Sequence, residues 1–263
     1  MYYNTIRYLK CIQIRYQIWY RLHSKWRSCF KYRYKLSYPS HSVSLKFIDW
    51  IVKPEAYNGD TFRFLNLSNR FRNDEIDWNF NGLGKLWNYN LNYMDFLLQP
   101  NIGKERGIKL IHDFVKKLND KSTGLEPYPI SVRGMNWIKF LTKHGVQSQG
   151  IDNSLFAQYQ ILLDNLEYHL LGNHLLENGF SLLFGSFYNN DMRLYDKAKS
   201  IIENELNEQI LDDGGHFELS PMYHQIILDR VFDCINLLQN YKQFNGQESL
   251  LIFMKEHFHK LRP

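Results

Sequence analysis

Asn173 and Glu177 lie four residues apart, as do His174 and Asn178. The stretch Gly172-Asn173-His174-Leu175-Leu176-Glu177-Asn178 therefore sets a polar patch at the start of a helix otherwise filled with Leu and Phe. Such a patch is costly unless it is paired or solvated. It reads either as a cap by Asn173 beside a partnered core histidine, or as donors set out for a ligand. A second stretch, Asp213 to His224, contains Gly214-Gly215-His216 and then Ser220-Pro221-Met222-Tyr223. Ser220 and Pro221 have the types of an N-cap and a first helical residue, which puts Tyr223 in the first turn. The positive end of the helix dipole favours anionic charge there. A tyrosine, with an ordinary pKa near 10, needs such help to act as a base near neutral pH. The plainer alternative is a hydroxyl bonded to backbone.

Two more stretches combine rings with polar groups: Trp87 to Tyr93, and Glu126 through Tyr128 and Arg133 to Trp137. Aromatic faces stack on sugar rings or bases. With 18 Tyr, 18 Phe and 6 Trp the chain is 16% aromatic, although a large helical fold also packs rings in its core.

These residues need elements to position them, and the pattern is mostly helical. Apolar residues at Ile108, Ile111, Phe114, Val115 and Leu118 recur with a period near 3.6 over Lys104 to Leu118. Further helices are expected over Ser131–Leu141, Leu155–Leu171, Leu175–Phe184, Ala198–Leu211, Met222–Leu238 and Leu250–Leu261. Gly214-Gly215 is a stop signal. Asp60–Phe71 alternates and predicts a short strand, Tyr93–Leu98 is a short apolar segment, and the Asn-, Gly- and Trp-rich Trp78–Leu91 predicts an ordered loop. Short connections imply helical hairpins, which either form a solenoid or curl into an (α/α) barrel; the chain lacks a solenoid's fixed-period repeat.

The chain has 263 residues, 44% hydrophobic and 22% charged, which excludes disordered and low-complexity classes. No run approaches the roughly 20 apolar residues of a membrane span, and early charges leave no room for a secretory signal, so a cytoplasmic location is expected, with periplasmic or cell-envelope association left open. Cys11, Cys29 and Cys234 lack disulfide or metal-ligand spacing, and no metal or cofactor is assigned. The net charge of +5 is uneven: residues 1–35 carry nine Lys or Arg, and the first acid is Asp49. That leaves 23 bases against 27 acids, a net −4, for the remainder. Tyr8, Ile12, Tyr16, Trp19, Tyr20 and Trp26 interleave with these bases as on an amphipathic helix. Such an arm either docks on the body or meets an anionic membrane surface or polyanion. Nucleic acid is not expected as a partner, because no recognised motif accompanies the charge.

Taken together, Trp87-Asn88-Tyr89-Asn90-Leu91-Asn92-Tyr93, Glu126-Pro127-Tyr128-Pro129-Ile130-Ser131-Val132-Arg133, the stretch beginning Gly172-Asn173-His174 and that ending Ser220-Pro221-Met222-Tyr223-His224 resemble the heparinase II/III family of polysaccharide lyases, of the heparinase III and alginate lyase type. The likeness runs from about residue 60 to the end and is carried most specifically by the last two stretches. It implies an all-α fold, an incomplete (α/α) toroid of helical hairpins with a basic N-terminal helix and little or no sheet. The expected domains are an arm and linker over 1–59 and a lyase-like toroid over 60–263, truncated before the family's C-terminal β-sandwich. The expected partners are an acidic polysaccharide or oligosaccharide, and a separate β-sandwich half or a second copy of the chain.

The family's reaction is β-elimination at a uronic acid. By match, Asn173 and His174 hold the uronate carboxylate, and Tyr223 is the acid or base. Trp87, Tyr128, Arg133, Trp137, Glu177 and His216 are expected to line the substrate groove. Family members draw a further His or Tyr from the β-sandwich, and no position here corresponds to it. The alternative function is a glycan-binding module without catalysis.

Overall fold

The computed structural model describes residues 11–29, 33–46, 51–72, 75–118 and 124–262. Helix α1 (Cys11–Cys29) precedes a three-stranded sheet of β1 (Tyr57–Asn58), β2 (Thr61–Phe64) and β3 (Leu67–Arg70). Then follow α2 (Lys85–Tyr93), a 3-10 turn (Asp95–Leu98), α3 (Lys104–Lys116), α4 (Pro127–Lys143), α5 (Gln149–Asp164), α6 (Gly172–Asn189), α7 (Met192–Gln209), α8 (Pro221–Asn240) and α9 (Gln247–Leu261). The fold is all-α with one small sheet, an incomplete toroid of helical hairpins.

The hairpins follow from short connections between apolar-faced helices. Asn190 takes the left-handed conformation at the end of α6, and Asp191 caps α7 by accepting from the Arg193 and Leu194 N–H groups. With two residues between them, α6 and α7 must pack side by side. Helix α6 also packs on α4, and α8 packs on α9. The Tyr159 ring of α5 lies where a side chain on Gly134 of α4 or Gly185 of α6 would stand, so both glycines let three helices meet around one buried ring.

The expected strand Asp60–Phe71 is a hairpin. Leu65 and Asn66 both have positive φ, the two-residue turn whose twist suits antiparallel strands. Phe62 and Phe64 point inward, edge-on to Phe96 (centroids 5.1 Å) and Trp87 (5.3 Å) respectively.

Three expectations need correction. Trp78–Leu91 is not all loop, since α2 begins at Lys85. Asparagine is a poor helix former, but buried Asn88 and Asn92 donate to the Trp78 carbonyl at 2.8 and 3.0 Å, and tertiary bonding overrides propensity. The helix expected over Leu155–Leu171 stops at Asp164, where the Asn165 amide donates to the Ile161 carbonyl and turns follow. Ser220 stands at the N-cap position of α8 without a side-chain cap bond. The segment read as linker is seated on the helices: Tyr38 N–H donates to the Asn153 carbonyl, Val43 N–H to that of Tyr188, and Leu45 is buried. Of the basic arm, Arg7, Tyr8, Lys10 and Lys31 lie outside the described residues.

Candidate active site

Two strained helix starts carry the candidate residues. Leu171, just before α6, has φ 59° and ψ −158°, a region almost reserved for glycine, and Gly172 follows with φ 60°. Leu219, two residues before α8, has φ 52° and is 81% exposed. Backbone strain of this kind costs about 1–3 kcal/mol per residue and gathers at functional sites. The starts are neighbours: a side chain on Gly172 would stand 3.7 Å from the Phe217 ring and 3.8 Å from the Glu218 carboxylate.

His174 is oriented from the turn that ends α5. Its Nδ1 lies 3.2 Å from Glu167 Oε1. The other oxygen of buried Glu167 accepts from the Asn178 amide at 3.0 Å, and Asn178 Oδ1 accepts from the Glu167 N–H. The Asn178 amide also reaches Ser131 Oγ at 3.1 Å, which ties the set to α4. A carboxylate on one ring nitrogen fixes the tautomer and aims the other nitrogen outward. The hydrogen bond to Glu167, with charge contributions from Glu167, Glu218 and Glu177, raises the His174 pKa against the opposing effect of burial.

Beside His174 runs a row of half-buried rings. Tyr128 lies 4.9 Å from it, Tyr93 lies 5.9 Å from Tyr128, and Tyr89 lies 6.3 Å from Tyr93, all between centroids. Burial pushes the Tyr93 and Tyr128 phenols well above their ordinary pKa, so both stay protonated hydrogen-bond donors. Tyr223, in the first turn of α8, acts electrostatically on Tyr128 and lies 6.3 Å from the His216 ring. Asn173 is half-buried at the start of α6. His174 and Tyr128 therefore border one rim, with Tyr223 near enough to act on Tyr128 and Asn173 at the adjoining start of α6.

The other expected groove residues are elsewhere. Trp87 and Trp137 are fully buried, their indole N–H groups spent on the Leu67 carbonyl and Met94 sulfur. Arg133 is fully buried and donates to Gln158 Oε1 and to the Asn92 and Gly124 carbonyls. Glu177 is buried beneath the rim against Arg230, at 2.8 Å. His216 is buried and bonded to Gln209, and burial lowers its pKa. These five lie in the interior and not on a groove surface, because large rings and paired charges are held where packing satisfies them. Glu167, Asn178, Tyr89 and Tyr93 surround His174 and Tyr128 instead. In the sequence Leu166, Leu170 and Leu171 prolong the helical period past the true end of α5 and so conceal Glu167.

Helix α9 braces the loop that delivers Tyr223. Gly214 has φ +84°, and a β-carbon there would fall 2.0 Å from the Lys260 carbonyl oxygen. His224 Nε2 lies 2.9 Å from the Leu261 carbonyl. Gly214→Ala is expected to destabilise the fold by at least about 1–3 kcal/mol, because it adds left-handed strain to a backbone clash. Thermal unfolding checks it, and an unchanged midpoint would show that the loop gives way freely.

Residues 152–248 match the family model described as Heparinase II/III N-terminus, and this segment holds Asn173, His174 and Tyr223. Among solved structures, the heparan sulfate lyase HepC from Pedobacter heparinus is similar in fold, with a TM-score of 0.53 and 17% identity over 77% of this chain and 36% of that one. A mutant of the same lyase aligns over the same shares at 16% identity and a TM-score of 0.49. The chain thus spans about a third of the length of those lyases. No curated protein matches it.

Proposed function

From a polysaccharide lyase-related toroid that resembles the heparinase II/III N-terminal domain, we propose that this rim binds a uronic acid unit of an acidic glycan and takes part in its β-elimination. The observation that carries the reading is the Glu167–His174 pair beside Tyr128 and Tyr223. Asn173 and His174 donate to the uronate carboxylate, which draws charge from C5 and acidifies its proton. Tyr223 removes that proton. The C–H electron pair becomes the new C4–C5 double bond, the C4–O bond breaks, and the leaving oxygen takes up the proton that Tyr223 now carries. Fixed donors at developing charge are worth about 10²–10³-fold each. The test is to mix the protein with heparan, alginate and other uronans and follow ultraviolet absorbance of the unsaturated product. Glycan binding with no absorbance change identifies a binding module, and neither binding nor product sinks the reading.

The His174 charge gives binding a pH dependence. Its folded pKa is raised, so the imidazolium is fully present below the ordinary value near 6.5 and is lost only as pH rises through the higher folded value. Glycan affinity is expected to fall across that upper window. Glu167→Gln removes the carboxylate and is expected to shift the fall toward lower pH, which NMR titration of His174 together with binding assays would detect. An unmoved profile would separate His174 from anion binding.

A further inference from the structure

Among the described residues, helix α1 meets the body through one stripe. Tyr16 stacks on Tyr168 at 4.7 Å and Tyr20 on His169 at 4.2 Å, while the Gln13 and Gln17 amides donate to the Leu170 and His169 carbonyls. These positions recur at the spacing of one helical stripe. The opposite stripe presents Ile18 and Leu22, 56% and 60% exposed, beside exposed Trp19 and Trp26. Both indoles stack on His23, at 5.3 and 6.0 Å, which sets them as a row. Exposed Arg15, Arg21 and Lys25 flank the stripe, and the helix contains no acid.

We propose that this outer face docks on the surface of an anionic lipid bilayer. No helix among the described residues is long and apolar enough to cross a membrane, so the contact is peripheral. Charge complementarity selects the occupant. Nine bases without an acid in residues 1–35 repel a second copy of the same helix and attract a negative leaflet. Apolar side chains between the bases then enter the headgroup boundary, where indoles are favoured. A hydrated acidic glycan would satisfy the bases but gains nothing from Ile18 and Leu22, and this favours lipid over glycan. The inference stands apart from the rim chemistry, since none of these outer side chains belongs to it.

The test is co-sedimentation of the full chain with phosphatidylcholine vesicles, with and without phosphatidylserine. The expected result is binding only to the anionic vesicles, weakened by salt. Ile18→Ser with Leu22→Ser keeps every charge and is expected to weaken binding at least about tenfold, given the apolar area removed. Arg15→Gln, Arg21→Gln and Lys25→Gln together are expected to weaken it on the order of a hundredfold. Should the serine variant not fold, the charge variant decides. Equal binding to neutral vesicles, no binding to either, or heparin retention unaffected by the serine pair alongside unchanged vesicle binding would overturn the proposal. So would self-association that the serine pair abolishes without lipid.

Discussion

Arg133→Ala is expected to lower stability by about 3–5 kcal/mol, from buried acceptors left unmet at about 1–3 kcal/mol each and the cavity that opens. The guanidinium has no carboxylate partner among its hydrogen bonds; it spans Gln158 of α5, the end of α2 at Asn92 and the loop at Gly124, all between 2.8 and 2.9 Å. It also lies 4.5 Å from the centre of the Phe114 ring of α3. Burial pulls its pKa down to about 9, so the charge persists at neutral pH and is compensated by oriented dipoles and a ring face. Truncation leaves three buried acceptors unmet and a cavity where three helices and a loop converge. Arg133→Lys is expected to recover little, because an ammonium lacks the planar fork that reaches three separated acceptors. Against a typical total of about 5–15 kcal/mol, the loss is large. Denaturant unfolding measures it, and a midpoint unchanged in Arg133→Ala would remove the clamp from the account of the fold.

The same residue shows what the sequence conveyed and what it withheld. Helical periodicity reports which face of a segment is apolar, and it located α3, α8 and α9 to within about a turn and the middles of α6 and α7. Helix α6 extends five residues past its expected end, and α7 begins six before its expected start. It does not report where a polar residue on a buried face finds its partners. Arg133 and Glu177 therefore read as groove residues, whereas Asn92 and Gly124 satisfy the one and Arg230 the other. The rings divide in a similar way. On α2, Trp87 and Leu91 turn inward, while Tyr89 and Tyr93, also four apart, form the half-exposed row. Indole burial wins the core, and the phenol hydroxyl keeps Tyr nearer water. Asn173, His174 and Tyr223 were legible as helix-start residues because the Gly-Asn-His and Ser-Pro-Met-Tyr signals are local. Glu167 was not, since its role depends on a chain reversal that an unbroken leucine pattern conceals.

For a uronan that the protein cleaves, Tyr223→Phe is expected to lower kcat by about 10²–10⁴-fold, the range for one positioned proton carrier. Binding should change little, because the ring stays and only a hydroxyl is lost. Neighbouring phenols do not substitute: burial holds Tyr93 and Tyr128 protonated, which suits them to donate and disqualifies them as bases. Asn173→Ala should behave differently, raising KM as well as lowering kcat, because a carboxylate ligand acts in the ground state and more strongly as charge grows. The contrast separates the two roles within one rim. It also distinguishes lost chemistry from a displaced loop, since a Tyr223 effect arising from disorder at Ser220 and Pro221 would carry Asn173-like losses in KM. Elimination at the full rate in Tyr223→Phe would remove Tyr223 from the reaction and turn attention to His174, held by Glu167, as the proton carrier.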